Sequence, residues 1–443
     1  MTALGEMSGV LAERFVGTTA LSIGDAQIPF VAVHQGTAQL ASAFQENGLR
    51  PGDRIAILLL TTPDFVMAYL AAHRAGLVVM PLNPLLGPSE LVHILQTMQP
   101  KGISISEGMV IANRDASERE MMYTQADTIL CGLPFSHVFG QVVIMLAGLM
   151  AGATLRLAPR PSPDLLFADL KATSPSVFVG VPTTIAAVAA MGRQDPEAAT
   201  QAASNLRLVA TGGSNMPLAI GADFKAVFGH DVYQGYGMTE VCGCIAVADF
   251  DRPAGEDVGA VWPLFDWKIE GSDSETATRG ELLIRGPNVF RGYYKDGVLA
   301  PRAVDEWFAT GDVVELVDGR YITIIDRKKE MIIRGGYNVY PSEVEAALVS
   351  HPDVELAAVV GFPDEELGEE IGAFVTAKDS ASIDTGALKQ WVRDRIALYK
   401  YPRQIIVIET MPTNPTGKIL KKALPVDVLS DRHKGSGQPA LTS

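Results

Sequence analysis

The sequence predicts an α/β protein: a large N-terminal lobe of doubly wound sheets plus a small β-barrel, followed by a small α+β C-terminal domain. Three observations carry that expectation. Over the first two-thirds, short β-rich runs alternate with helical patterns, as in a mostly parallel sheet covered on both faces. After about Ile245 the helical periodicity stops, and short strands with glycine turns take over. From Lys329 the style changes again, to short strands and helices in a stretch of about a hundred residues, an ordinary domain size. Domains are therefore expected at 1–328 and 329–443, joined at Asp326-Arg327-Lys328-Lys329.

In chain order, 54–60 (RIAILLL) reads as a strand, and 63–76 as a helix opened by Pro63 and stopped by Gly76. A strand at 78–83 and a helix at 88–99 follow. Further strands are expected at 127–134, 153–158, 177–182, 206–213 and 231–237, with helices between them. The stretch 128–155 contains no Asp, Glu, Lys or Arg, long enough on paper to span a bilayer. Pro134, His137, Gln141 and several glycines interrupt it, so it reads as buried strand, turn, helix and strand. Between 258 and 315 the short strands (GAVWPLFDWKIE, GELLIRG, GYY) suggest the barrel. The last dozen residues (RHKGSGQPALTS) read as a frayed end.

Composition narrows the function classes. Of 443 residues, 47% are apolar, material for a large core. Lys and Arg total 36 against 51 Asp and Glu, a net charge of −15, which argues against nucleic-acid or anionic-membrane partners. Three cysteines, Cys131, Cys242 and Cys244, supply neither a disulfide framework nor a zinc site. The N-terminus lacks the basic and apolar regions of a secretory signal, so a cytoplasmic location is expected.

Ligands of doubly wound sheets sit beyond the carboxyl ends of the strands. Pro182, Gly212-Gly213-Ser214 and Tyr236-Gly237-Met238-Thr239-Glu240 fall there. Gly212 and Gly213 let backbone lie flat against a purine, and Tyr236 offers an aromatic face opposite. Asp312, a lone carboxylate at a strand–turn end, suits ribose hydroxyls, and Arg327 can add its fork. Taken singly, such residues read more readily as a glycine turn, a core tyrosine and a capping aspartate. Their order decides between the two readings: LPFSHVFG (133–140), VGVPTT (179–184), ATGGSNMPL (210–218), YQGYGMTE (233–240), ATGD (309–312), DRKKEMIIRGGYNVYPSEVE (326–345) and NPTGKILKK (414–422). This series resembles the adenylate-forming superfamily, and within it the acyl-CoA ligases, over nearly the whole chain.

The resemblance implies an acyl-adenylate intermediate, a swing of the C-terminal domain and transfer of the acyl group to CoA. It implies an AMP site of Gly212, Gly213, Ser214, Tyr236, Gly237, Thr239, Asp312 and Arg327, with Thr239 on the α-phosphate. Glu240 matches the carboxylate that holds the magnesium riding on ATP, a metal that needs substrate phosphates as co-ligands. His137 matches the gating position between acyl and pantetheine pockets, with a core histidine as the alternative. Gly180, Val181 and Pro182 match the acyl-pocket wall, here small and apolar, which suggests a bulky hydrophobic acyl group. Lys329 matches the hinge. Gly335 and Gly336 match the loop beside the pantetheine arm, and Lys418 the catalytic lysine of adenylation. Lys400 and Arg403, with Lys421 and Lys422, form a basic rim for CoA phosphates.

One expected part is missing. A Ser/Thr/Gly-rich loop ending in Pro-Lys-Gly, whose amides and hydroxyls hold the β- and γ-phosphates of ATP, should precede LPFSHVFG. Here ELVHILQTMQ runs directly into Pro100-Lys101-Gly102, and Thr97 is the one hydroxyl within that run. The expectation is a half-enzyme that takes preformed acyl-AMP and CoA as substrates and releases AMP, with a separate adenylating enzyme as supplier. The alternatives are a complete ATP-dependent ligase with a rewired phosphate site, and a non-catalytic acyl-adenylate-binding partner.

Overall fold

In the computed structural model, the residues described are 2–84, 86, 91–92, 107–160, 162–252, 254–270, 278–295, 298–303, 305–364, 366–378, 381–413 and 419–429. The chain divides into two compact units. One comprises Met1–Lys268, Leu283–Phe308 and Val317–Ile322, the other Ile269–Leu282, Ala309–Leu316 and Thr323–Ser443. The single cut expected after Lys328 differs from this, because the long strands Arg279–Arg285, Phe308–Val317 and Tyr321–Arg327 each run from one unit into the other. Sequence periodicity carries no mark of such a crossing.

The first unit is built on β1 (Thr19–Ile23), β2 (Ala26–Pro29), β3 (Arg54–Ile57), β4 (Val78–Pro81), β5 (Thr128–Cys131), β6 (Thr154–Leu157), β7 (Val177–Gly180), β8 (Leu208–Thr211), β9 (Val232–Met238), β10 (Gly243–Val247) and β11 (Ala260–Val261). The ladder order is β11-β10-β9-β8-β7-β5-β6-β1-β2, with β3 and β4 as a separate parallel pair. The pairs β5–β6, β5–β7, β7–β8 and β8–β9 are parallel. Every residue of β7 and β8 is buried, which is why they read as unbroken apolar runs.

Proline opens the helices Pro63–Arg74, Pro163–Thr173, Pro182–Gln194 and Pro196–Ala203, where its missing N–H costs nothing. Ser162 and Asp195 cap two of them through Leu165 N and Ala198 N. Leu166, Leu170, Ile185, Val188, Phe224 and Phe228 from these helices and Leu218–Phe228 close over Leu130, Phe178, Val209 and Val232 of the sheet. The uncharged stretch is a buried strand, a π-helical segment (Phe139–Leu146), a helix (Ala147–Ala151) and a strand. Among the described residues, no helix is long and apolar enough to cross a membrane. The helix expected at 88–99 lies outside the described residues except for Leu91 and Val92, which are helical.

Where a small barrel is expected, β12 (Asp266–Glu270), β13 (Arg279–Arg285), β16 (Phe308–Val317) and β17 (Tyr321–Arg327) follow one another as an open ladder. Among the described residues the hairpin β14 (Gly292–Lys295) and β15 (Val298–Pro301) forms a separate two-stranded sheet.

The second unit carries β18 (Ile332–Arg334), β19 (Tyr337–Val339), β20 (Val354–Asp364), β21 (Gly368–Ala377) and β22 (Gln404–Val407), ordered β19-β18-β21-β20 with β22 beside β21. Helices Pro341–Val349 and Thr385–Arg393 close its core through Val344, Leu348, Leu388 and Val392. Between β18 and β19, Arg334 pairs with Tyr337 across Gly335 (φ +55°) and Gly336 (φ +82°). Two successive positive φ values define the tight hairpin turn that matches strand twist, and glycine is its usual occupant.

Candidate functional site

In the first unit the expected nucleotide residues gather at the carboxyl ends of β8 and β9. Gly212 follows β8; a Cβ there would lie 3.0 Å from the Gly235 carbonyl and 3.0 Å from the Phe139 ring. Gly213 has φ +87° and its nearest neighbour would be Val181, at 3.9 Å. The sequence reading reserved these glycines for a purine; the fold gives Gly212 a steric reason of its own. Gly237 is tighter still, since a Cβ would sit 2.0 Å from the Gly243 carbonyl on β10. Tyr236 is buried in β9, and its carbonyl accepts from the Cys244 thiol at 3.3 Å. Ser214 and Thr239 are exposed, leaving their hydroxyls open to a ligand.

Thr239–Val241 form a single 3₁₀ turn ending at Cys242, whose φ is +62°. Phe290 N donates to the Glu240 carbonyl at 2.7 Å, and the Tyr293 hydroxyl donates to Glu240 Oε1 at 2.9 Å. Burial and that carboxylate push the Tyr293 hydroxyl up to about 12, so it stays a donor at neutral pH.

His137 and the acyl-wall residues belong to the same unit. His137 Nδ1 accepts from Phe139 N at 3.2 Å, which places the proton of the neutral ring on Nε2. Burial lowers its pKa, so the imidazole is neutral at pH 7. Val181 is the extended cap, and Pro182 the first residue, of helix Pro182–Gln194, directly after Gly180 at the end of β7. The helix presents Ile185, Val188 and Ala189 to the core rather than to a ligand.

The second unit holds the rest. Asp312 is 2% exposed, and its Oδ1 meets Arg327 Nε at 2.9 Å. Thr310 Oγ1 accepts from Asp312 N at 3.1 Å, and Lys328 N donates to the Gly311 carbonyl at 2.8 Å, fixing the turn. Asp312 and Arg327 are thus brought together in this unit. Lys329 is exposed. Gly335 and Gly336 form the hairpin turn, and a Cβ at Gly336 would meet nothing within 4 Å. Lys400 does not project as a free cation: its Nζ lies 2.7 and 2.6 Å from the two Glu343 oxygens. Arg403 stacks on Tyr401 at 3.6 Å, with Glu370 at 3.8 Å. Lys421 bridges Glu330 and Glu345, at 2.9 Å each. Three of the four cations of the expected basic rim, Lys400, Arg403 and Lys421, therefore face carboxylates of their own unit, and Lys422 is exposed. Lys418 lies outside the described residues.

The profile of the AMP-binding enzyme family matches residues 11–99 and 97–294, more than half of the chain, and that of the AMP-binding enzyme C-terminal domain matches 343–418. The chain belongs to the AMP-binding enzyme family. Within that family it is similar to an indoleacetate–CoA ligase from Aromatoleum aromaticum, 34% identical over 354 residues covering 77% of this chain and 68% of that protein. It is also similar to a feruloyl-CoA synthase from an Amycolatopsis species, 29% identical over 468 positions covering 91% of this chain and 94% of that protein. The fold matches a benzoate CoA ligase from Burkholderia xenovorans LB400 with a TM-score of 0.84 at 23% identity, over 95% of this chain and 99% of that one. This AMP-binding enzyme thus groups with the acyl-CoA ligases of the adenylate-forming superfamily.

A magnesium ion at Glu240 of this AMP-binding enzyme would meet one protein carboxylate, half engaged by Tyr293. Among the described residues no group of three or more His, Cys, Asp or Glu could hold a metal. At such a site a magnesium ion would need substrate phosphates as co-ligands. Sequence reasoning missed Asn113 and Asn288, which both donate to the Val241 carbonyl at the end of the 3₁₀ turn, and Tyr293, which donates to Glu240 within it. Of these, Tyr293 lies in the GYY run, which reads as a strand.

Proposed function

We propose that this enzyme carries out the thioester-forming half-reaction alone: acyl-adenylate plus CoA gives acyl-CoA and AMP. The observation that carries the reading is the direct run from ELVHILQTMQ into Pro100-Lys101-Gly102, with no hydroxyl-rich loop between. Pyrophosphate left without donors is costly to form in a cleft, and adenylation depends on stabilising that leaving group. Thioester formation expels AMP instead and needs no such cradle. Two features of the comparisons support the reading. The family match breaks into segments meeting at 97–99, and the feruloyl-CoA synthase alignment runs to 468 positions against a 443-residue chain, so that relative carries extra residues.

A separate adenylating enzyme supplies the acyl-AMP, and the reaction belongs to the cytoplasm. The apolar wall at Gly180-Val181-Pro182 and relatives named for feruloyl and indoleacetate substrates favour a bulky hydrophobic acyl group. The pattern of parts kept and lost resembles the non-adenylating acyl-CoA ligase of the platensimycin/platencin pathway, and on that likeness the acyl group is a diterpenoid acid, made for natural product biosynthesis. Synthetic acyl-adenylates with CoA, assayed with and without ATP and magnesium, test the reading. It requires equal turnover in both conditions. No acyl-CoA from acyl-adenylate would leave only the binding-partner alternative.

A further inference from the structure

Asn113, on helix Glu107–Glu120, is fully buried and uses every hydrogen-bonding position of its amide. Its Nδ2 donates to the Val241 carbonyl at 3.3 Å and the Cys244 carbonyl at 2.8 Å. Its Oδ1 accepts from Cys244 N and from Ser117 Oγ, both at 3.2 Å. The backbone it holds is an unusual one: Cys242 has φ +62° and Gly243 φ +145°, and a Cβ on Gly243 would come within 2.5 Å of Asn113 Oδ1. A left-handed non-glycine residue persists only where its surroundings over-determine it. Asn113 supplies that determination from one side, and Asn288 from the other, through its Nδ2 to the Val241 carbonyl at 2.8 Å.

We propose that Asn113 is a positioning residue for the nucleotide site, fixing the 241–244 turn so that Thr239 and Glu240 stand where a bound phosphate needs them. The path is short and continuous: Cys242 N donates to the Thr239 carbonyl at 3.0 Å, and Val241 is the last residue of their 3₁₀ turn. This rests on reading Thr239 and Glu240 as the phosphate-side residues. A residue that merely glued helix to hairpin would affect stability and not affinity.

Calorimetric titration with AMP, beside the thermal midpoint, separates the cases. Asn113→Ala, measured well below its midpoint, is expected to bind AMP about tenfold or more weakly, since the Cys244 carbonyl and amide lose their Asn113 bonds and the Val241 carbonyl is left with Asn288. Its KM for CoA should stay within about twofold of the native value. Ser117→Ala, which frees the amide to turn, should weaken AMP by about threefold. A lowered midpoint with native AMP affinity in Asn113→Ala overturns the proposal. Should Asn113→Ala fail to fold, Ser117→Ala decides: unchanged AMP affinity overturns the proposal, weakened affinity supports it. Absence of AMP binding by the native chain would overturn the nucleotide-site reading itself, and the proposal with it.

Discussion

Asp312 combines burial, a fixed turn and a guanidinium partner, so its carboxylate is held in place before any ribose arrives. Asp312→Ala removes a charged acceptor, and such hydrogen bonds are worth roughly 1.5–3 kcal/mol, so AMP affinity should fall about tenfold to a hundredfold. Calorimetry finding native affinity would remove Asp312 from the site. Gly336 separates two explanations of one glycine. Its φ of +82° already demands glycine or asparagine, whatever passes nearby. Gly336→Asn should keep the hairpin and the thermal midpoint, whereas Gly336→Leu should lose both. If the pantetheine arm runs past this turn, Gly336→Asn also raises the KM for CoA; an unchanged KM would assign the glycine to the turn alone.

Elements are tied together at the end of the sheet opposite the candidate site. Asp127, just before β5, is 3% exposed and accepts from Ser176 Oγ at 2.7 Å, Arg207 Nε at 2.8 Å and Thr124 N at 2.8 Å. It thereby binds the starts of β5, β7 and β8. Burial acts to raise its pKa, but the bonds from Arg207, Ser176 and Thr124 outweigh burial and leave it below the usual carboxylate value. A carboxylate depressed in the folded state contributes stability above its unfolded pKa, near 3.9, and loses it as pH falls through the folded value. Asp127→Asn should therefore cost about 1–3 kcal/mol at pH 7 and flatten the decline of stability below about pH 4. Urea titrations at several pH values measure both. An unaltered acid slope would show that Asp127 does not carry it.

This tie also shows what the sequence could and could not tell. Strand positions were legible where, as in β7 and β8, every residue is buried and the strand reads as an apolar run, and helix starts because proline opens five of them. The glycines and Tyr236 were legible through ordered motifs. Asn113, lying 128 residues from Val241, was not, because a buried amide whose partners are backbone atoms leaves no local pattern. Lys400 and Arg403 read as free cations since Glu343 and Glu370 reach them only through the fold.

At the scale of the whole molecule, the proposed function is the second half of the family's chemistry, thioester formation without adenylation. Gly212, Gly213 and Thr239 stand at strand ends of the first unit and Asp312 pairs with Arg327 in the second, while in the sequence ELVHILQTMQ runs directly into Pro100-Lys101-Gly102. Lys418 serves the adenylating step by resemblance, so Lys418→Ala should leave turnover of preformed acyl-adenylate nearly native. The most direct test is acid-dependent exchange of labelled pyrophosphate into ATP, run beside acyl-CoA formation from acyl-adenylate on the same preparation. The half-enzyme account predicts no exchange and full thioester formation without magnesium. Robust exchange that Lys418→Ala abolishes would contradict it and establish a complete ligase with a rewired phosphate site.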